Sequence, residues 1–431
     1  MSETTADQAA TDGDDEVEDL DSFRSRLRSW LADNVPKATP ATRQGVRGDM
    51  SDEEELADVA RTRQLQRQLF DGGFAGIIFP KEYGGAGLTP AHQQVFNEEI
   101  VGYEYPARTQ VPTFSPCATV LLEFGNHEQK LAHIPAILKG EEIWMQFLSE
   151  PSGGSDVAGA QTTAVRDGEE WILNGSKIWT TGAWWSDWGL CLARTNWEVP
   201  KHRGLTVFML KIHQPGIEVN RIEMLNGSKE FCQEFITDVR IPDSDRIGGV
   251  DDGWTVGTRW MYYEKSFGIS HHLIRPAVSR SSAPPPSPFL KAAARAGRLD
   301  DPVTRELVGE GHALNLVSAA ANARIGKGLA TGKLPSQGAG LSKVLGGTIF
   351  IRQSNINWEL AGPSGAAWLE EDGAQGSQGV SFLTRQSSQI AGGTTEMSRN
   401  VISERLLGMP RERTNDRDVA FRDVPKGPST K

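Results

Sequence analysis

The chain has 431 residues, enough for two or three domains around a large buried core. Its formal net charge of −11, from 45 Lys and Arg against 56 Asp and Glu, argues against a nucleic-acid surface. No apolar run approaches the roughly 20 residues of a membrane span, the N-terminus lacks the basic and apolar regions of a secretion signal, and three scattered cysteines (Cys117, Cys191, Cys232) form neither a disulfide framework nor a Cys-x-x-Cys metal site, so a reducing cytoplasmic setting is expected.

Residues 1–20 are polar and acidic, with too little apolar surface to offset the entropy of ordering them, and predict a solvated tail. From Asp21 a helical period begins: Phe23, Leu27, Trp30 and Leu31 mark one face, and the helix must end before Pro36. A second helix is predicted over Asp52 to Phe70, and others over Pro90 to Val101 and Glu128 to Leu138, the last stopped at Gly140. These segments make an N-terminal helical domain over 21–140.

Strand-like sequence fills 141–250. Leu190 to Arg194, Leu205 to Leu210 and Glu234 to Ile241 are short apolar or alternating runs between turn residues. The stretch Trp171 to Thr181 alternates around Asn174-Gly175, which predicts a hairpin with a type I′ turn at that pair. Before it lies the loop Ser152-Gly153-Gly154-Ser155, whose backbone lacks bulk and permits close approach of a ligand. Hydroxyls stand on both sides, at Ser149 and Ser155 and at Thr180 and Thr181. Such a surface suits a flat, polar-edged ring that is both stacked and hydrogen-bonded.

Asp251-Asp252-Gly253-Trp254 predicts the start of a helix with an aspartate N-cap, and the chain is helical from there to about residue 412. The proline-rich run from Ser281 to Phe289 cannot be helix interior and reads as a loop within this domain. Gly338 to Lys343 resembles half a phosphate loop but lacks its third glycine and a preceding strand, so it reads as a helix start. The final helix follows Gly392-Gly393-Thr394-Thr395 and is predicted to run to about Leu407, stopped by Gly408 and Pro410; residues 413–431 form a polar tail. His271 and His272 are adjacent on a helix, so their rings diverge and no metal site is expected. Trp184 and Trp185 read as core or interface rather than pocket lining.

Several of these pieces occur together in one family. Ser149-Glu150-Pro151 followed by Gly154-Ser155-Asp156, then Trp179-Thr180-Thr181 after an Asn-Gly pair, resembles the middle domain of the acyl-CoA dehydrogenases. Pro80-Lys81-Glu82-Tyr83-Gly84-Gly85-Ala86-Gly87 is similar to a turn in that family's N-terminal domain. The resemblance spans about residues 21–412 and implies an α+β fold: helical N-terminal domain, antiparallel β middle domain, helical C-terminal bundle. It implies FAD as cofactor, with Ser149 at the pyrimidine edge of the flavin, Trp179 against the isoalloxazine and Thr181 at flavin N5. Ser155 matches a residue near the CoA chain. The Gly392 amide matches a donor to the thioester carbonyl, and Thr394 and Glu396 match side chains at the FAD adenosine.

Two departures stand out. The medium- and short-chain members carry their catalytic glutamate where this chain has Gly392. Other branches place it on the first helix after the β-domain, where Glu264 stands, on one helical face with Trp260 and Phe267. The Arg-x-x-Phe-Gly motif that reaches the FAD pyrophosphate in many relatives is missing, as in a bacterial branch that shares Gly297-Arg298-Leu299-Asp300-Asp301-Pro302. The resemblance therefore implies dehydrogenation of an acyl-CoA to the trans-2-enoyl-CoA with Glu264 as base. Electrons would pass to an electron-transfer flavoprotein from a homo- or heterotetramer. A non-catalytic partner subunit and a flavin oxidase or monooxygenase on the same fold are the other readings.

Overall fold

The computed structural model describes residues 17–39, 50–265, 270–277, 287–367, 376–414 and 416–425. The acidic stretch before Val17, most of the proline-rich run and Phe267 lie outside them.

Helix α1 (Leu20–Asn34) begins where the Asp19 carboxylate accepts the Asp21 and Ser22 amides, both at 3.0 Å, and it buries Phe23, Leu27 and Leu31. Helix α2 (Asp52–Asp71) starts with a reciprocal capping box between Ser51 and Glu54. Helix α3 (Pro90–Glu99), the short α4 (Ala107–Thr109), an irregular segment Gln110–Ala118, α5 (Thr119–Phe124) and α6 (His127–Leu138) follow. Phe23, Leu27, Phe74 and Phe96 meet in one cluster between these helices.

The middle of the chain forms a single sheet from β1 (Trp144–Phe147), β2 (Thr163–Asp167), β3 (Glu170–Thr181), β4 (Trp188–Arg194), β5 (Leu205–Lys211), β6 (Ile217–Ile222), β7 (Phe231–Pro242) and β8 (Arg246–Ile247). The order is β6-β7-β3-β2-β4-β5-β8, with β1 alongside β4. Its pairs are antiparallel except β1 with β4 and the single Thr163↔Arg194 contact of β2 with β4.

The Asn174-Gly175 hairpin is not there. Both residues lie inside β3, and the turn comes earlier, at Gly168-Glu169, so that Asp167 pairs with Glu170. Asn174-Gly175 instead makes an irregularity in the β3–β7 ladder, where the register shifts between Leu173 and Gly175. Its residue types still have a cause. Asn174 exchanges hydrogen bonds with Asp238 across the strands, at 3.0 and 2.9 Å. A β-carbon on Gly175 would come within 2.7 Å of the Thr162 backbone.

Helix α7 (Gly253–Lys265) leads into the C-terminal part. The Asp252 carboxylate accepts the Thr255 hydroxyl at 2.5 Å at its start. Helices α8 (Pro288–Arg295), α9 (Pro302–Ala330), α10 (Ala339–Ala361), α11 (Gly376–Thr384) and α12 (Thr395–Val401) follow. The final helix is α-helical only to Val401 and widens into a π-type turn over Ile402–Leu406, rather than running regularly to Leu407. Phe289, Ala293, Ile356 and Leu360 form the small core of α8 and α10. Downstream, Phe421 folds back onto the β-domain, buried against Trp197 and under the Arg194 guanidinium.

Candidate active site

The loop carrying Ser149 is fastened to β3 by a buried ion pair. Lys177 is fully enclosed and donates to Glu150 at 2.8 Å, to the Leu192 carbonyl at 2.7 Å and to the Leu148 carbonyl at 3.3 Å. All three ammonium protons thus have acceptors. Glu150 also accepts the amides of Gln161 and Thr162 at 2.6 and 2.9 Å. Burial works to raise its carboxyl, but Lys177 and these donors outweigh it and hold the group below its ordinary range. Ser149 lies between these anchors, its carbonyl accepting the Ile178 amide at 3.0 Å.

One residue further, β3 bulges. The register shifts between Ile178 and Thr180, and Trp179 takes φ = +66°, a conformation uncommon for an aromatic residue. The strain has a visible result: the indole is thrown outward and stays 52% exposed, with the Phe231 ring edge-on at 5.9 Å. Thr181 follows on the same strand, partly buried and opposite Phe231. An exposed aromatic face flanked by Ser149 and Thr181 is an open platform.

Thr180, between them, points into the protein and connects the platform to α7. Its hydroxyl lies 2.9 Å from Glu234 Oε2 and 3.3 Å from the Gln146 carbonyl. The Gln146 side chain in turn accepts the Trp260 indole N–H. Glu234 is fully buried on β7, and desolvation pushes its carboxyl up to about 8, the Thr180 hydrogen bond offsetting part of that. The raised value favours the protonated form of Glu234 near neutral pH. Its other oxygen has no hydrogen-bond partner among the described residues.

Glu264 lies one helical turn beyond Trp260 on α7. Desolvation raises its carboxyl above the ordinary value, with Lys265 and then Lys343 pulling the other way. The turn before α12 closes over it. Gly392 and Gly393 take φ = +67° and +89°, which a side chain would disfavour. A β-carbon on Gly392 would sit 4.0 Å from Glu264 Oε1, and one on Gly393 would sit 3.5 Å from Lys265 Nζ. The structure thus brings Glu264 and Gly392 together.

The remaining sequence-predicted residues occupy separate places. Ser155 is exposed on its loop. Thr394 is the N-cap of α12, accepting the Met397 amide at 3.0 Å. Glu396 is solvent-facing beside Arg399, and its own backbone amide heads the causes that lower its carboxyl. Sequence reasoning missed Lys177, Gln146, Glu234 and Lys343, because long-range burial and pairing leave no local pattern. Among the described residues no three or more His, Cys, Asp or Glu are grouped to hold a metal, and no helix is long and apolar enough to cross a membrane.

Comparison with known proteins agrees with this architecture. Residues 18–141 match the N-terminal domain model of the acyl-CoA dehydrogenases and residues 146–239 the middle domain model. Acyl-CoA dehydrogenase IpdE1 of Mycobacterium tuberculosis is 30% identical over 397 residues, 92% of this chain and 99% of that protein. Its namesake from Mycolicibacterium smegmatis is 31% identical over 406 residues, covering 91% and 99%. Among solved structures, the Tcur3481-Tcur3483 steroid ACAD superposes with a TM-score of 0.69 at 26% identity, over 91% of this chain and 98% of that one. The ChsE4-ChsE5 complex from Mycobacterium tuberculosis gives 0.67 at 25% identity over the same shares. The chain belongs to the acyl-CoA dehydrogenase family.

Proposed function

We propose that this protein is an FAD-dependent enzyme that removes two hydrogens across the α,β bond of an acyl-CoA thioester, with Glu264 as the base. The observation that carries this reading is the convergence of Glu264 and Gly392 on one gap. Gly392 has no side chain to fill it, and the carboxylate that family members elsewhere place at this turn is supplied here from α7.

The residues present fit a flavin. Trp179 offers a flat, half-exposed aromatic face, with Ser149 and Thr181 supplying hydroxyls beside it. When bound, FAD supplies the acceptor for the β-hydride. The chain's own groups do the rest. Glu264, partly buried and with a raised pKa, is suited to take the α-proton. The Gly392 amide is assigned to the thioester oxygen, where a fixed donor stabilises negative charge as it develops. Thr181 is assigned to N5, Ser149 to the pyrimidine edge, Thr394 and Glu396 to the adenosine, and Ser155 to the CoA chain. Electrons are assigned to an electron-transfer flavoprotein.

Assembly with further copies or with a related chain is part of the same reading. Of the residues of α9 only Thr304 and Gly311 are buried, while Leu316, Val317 and Phe350 of α10 face water. Exposed apolar side chains on adjoining helices suit a contact with another chain. Two similar structures, the Tcur3481-Tcur3483 steroid ACAD and the ChsE4-ChsE5 complex, are named as paired chains, which favours a heteromer as the second reading. One of them names a steroid ACAD, so a ring-bearing thioester belongs among the substrates tried.

The test is flavin reduction and turnover with an artificial electron acceptor against butyryl-, octanoyl-, isovaleryl- and cyclohexanecarboxyl-CoA and a steroid acyl-CoA. Reduction by at least one thioester without peroxide release supports the dehydrogenase. Peroxide in step with turnover supports the oxidase. No reduction until a related chain is added supports the partner subunit.

A further inference from the structure

Lys343 sits near the start of α10, in the glycine-containing run that resembles half a phosphate loop. Its ammonium is aimed at the turn before α12 rather than at solvent. It donates to the Ser388 carbonyl at 2.8 Å and to the Ala391 carbonyl. Ala391 immediately precedes Gly392, so one cation ties together both ends of the short segment that delivers the Gly392 amide. Behind the turn the backbone of α10 is equally close. A β-carbon on Gly347 would meet the Ser388 carbonyl at 3.1 Å and the Thr395 methyl at 3.3 Å. The turn is therefore seated on α10, with Lys343 as its polar fastening.

We propose that Lys343 is the positioning residue that sets Gly392 against Glu264, fixing the turn through the Ser388 and Ala391 carbonyls while its charge acts on the Glu264 carboxylate. This rests on the base assignment for Glu264. A flexible glycine pair at positive φ has little stiffness of its own. A hydrogen-bond donor aimed at an oxyanion loses much of its effect when it is free to wander, so a fastening one residue away matters. The charge has a second effect. Among the described residues, the groups acting on Glu264 are Lys265 from its own helix and Lys343 from α10. The Cys117 thiol lies near enough to feel the Glu264 charge, although burial is the larger cause that pushes it up. Lys343 itself is lowered, first by burial and then by Lys265, with Glu264 opposing. Each cation favours the ionised, proton-accepting form of Glu264, and removing Lys343 leaves burial less opposed.

Holoenzyme carrying Lys343→Met, Lys343→Gln or Glu264→Gln is compared with wild type by two measurements. The first is amide hydrogen exchange over residues 388–393, which needs no turnover. The second is the pH profile of flavin reduction with whichever thioester of the five named above reduces wild type fastest. In Lys343→Met, exchange in the turn should rise about tenfold, as expected for losing one charge-assisted hydrogen bond. The acidic limb of the profile should move up by about one pH unit. Lys343→Gln keeps a donor without the charge, so exchange stays near wild type while the limb still moves; it also carries the electrostatic test if Lys343→Met fails to fold. Unchanged exchange in Lys343→Met overturns the fastening, and an unmoved limb in both variants overturns the electrostatic role. A Glu264→Gln variant that reduces flavin normally instead removes the base assignment, a separate result from either.

Discussion

Glu264 Oε1 stands 4.0 Å from the point a β-carbon on Gly392 would occupy, although the two residues come from opposite ends of the C-terminal part of the chain. A carboxylate reaching in from α7 and one hanging from the turn before α12 would therefore serve nearly the same space. The left-handed backbone at Gly392 makes glycine the natural occupant once the carboxylate comes from α7.

Thr181 follows the bulge that throws Trp179 outward. On the proposed assignment of its hydroxyl to flavin N5, Thr181→Val should retain FAD but slow flavin reduction by up to about a hundredfold, the usual scale for one lost catalytic donor. Stopped-flow absorbance checks this. A wild-type rate in the variant would place Thr181 away from the reacting atom.

The Lys177–Glu150 pair is buried and satisfied at every donor. Lys177→Met leaves Glu150 without its cation in the interior, which should cost about 3–5 kcal/mol of stability. It should also loosen the Ser149 loop, so FAD is lost more readily. Urea unfolding and flavin content measure the two effects. A variant as stable as wild type would show that Glu150 finds another partner.

Glu234 predicts a pH dependence of stability. Its folded-state pKa of about 8 lies above its ordinary 4.5, so the folded protein keeps a proton that the unfolded chain releases between those values. The stabilisation is complete below the unfolded pKa and declines as pH rises toward 8, at roughly 1.4 kcal/mol per unit at most. Glu234→Gln mimics the protonated group and should lack this decline. Thermal unfolding at pH 5 and pH 8.5 should show the variant gaining on wild type at the higher pH. Parallel shifts in the two proteins would mean that Glu234 is not the group responsible.

The helical and strand-rich regions were readable because each has a local signature, apolar periodicity or capping residues, whereas the proposed flavin-site positions rest on a short motif with fixed spacing. Asn174-Gly175 shows the limit. The pair has the composition of a hairpin turn, but its glycine serves a close approach to Thr162 and its asparagine a cross-strand pairing with Asp238. Tertiary contacts decided its role. Phe421 lay in what read as a polar tail, and only the partner surface of Trp197 and Arg194 explains its burial. Lys343 reads correctly as part of a helix start, yet its use at Ser388 and Ala391 depends on a turn that arrives much later in the chain.

The exposed face of α9 and α10 predicts association. Light scattering of the holoenzyme should give about four chains per particle, alone or with a related partner. Leu316→Glu should shift the protein toward smaller species, because a buried unpaired charge costs several kcal/mol. An active wild-type monomer would contradict the assembly.

The central claim is that Glu264 is the base, and stopped-flow reduction of FAD-loaded Glu264→Gln by a thioester that reduces wild type tests it most directly. Glutamine keeps the shape of the side chain and removes its basicity. The account predicts retained binding of FAD and thioester, with flavin reduction slower by at least about a hundredfold, the low end for a general base. Reduction at the wild-type rate would contradict it and remove Glu264 from the chemistry.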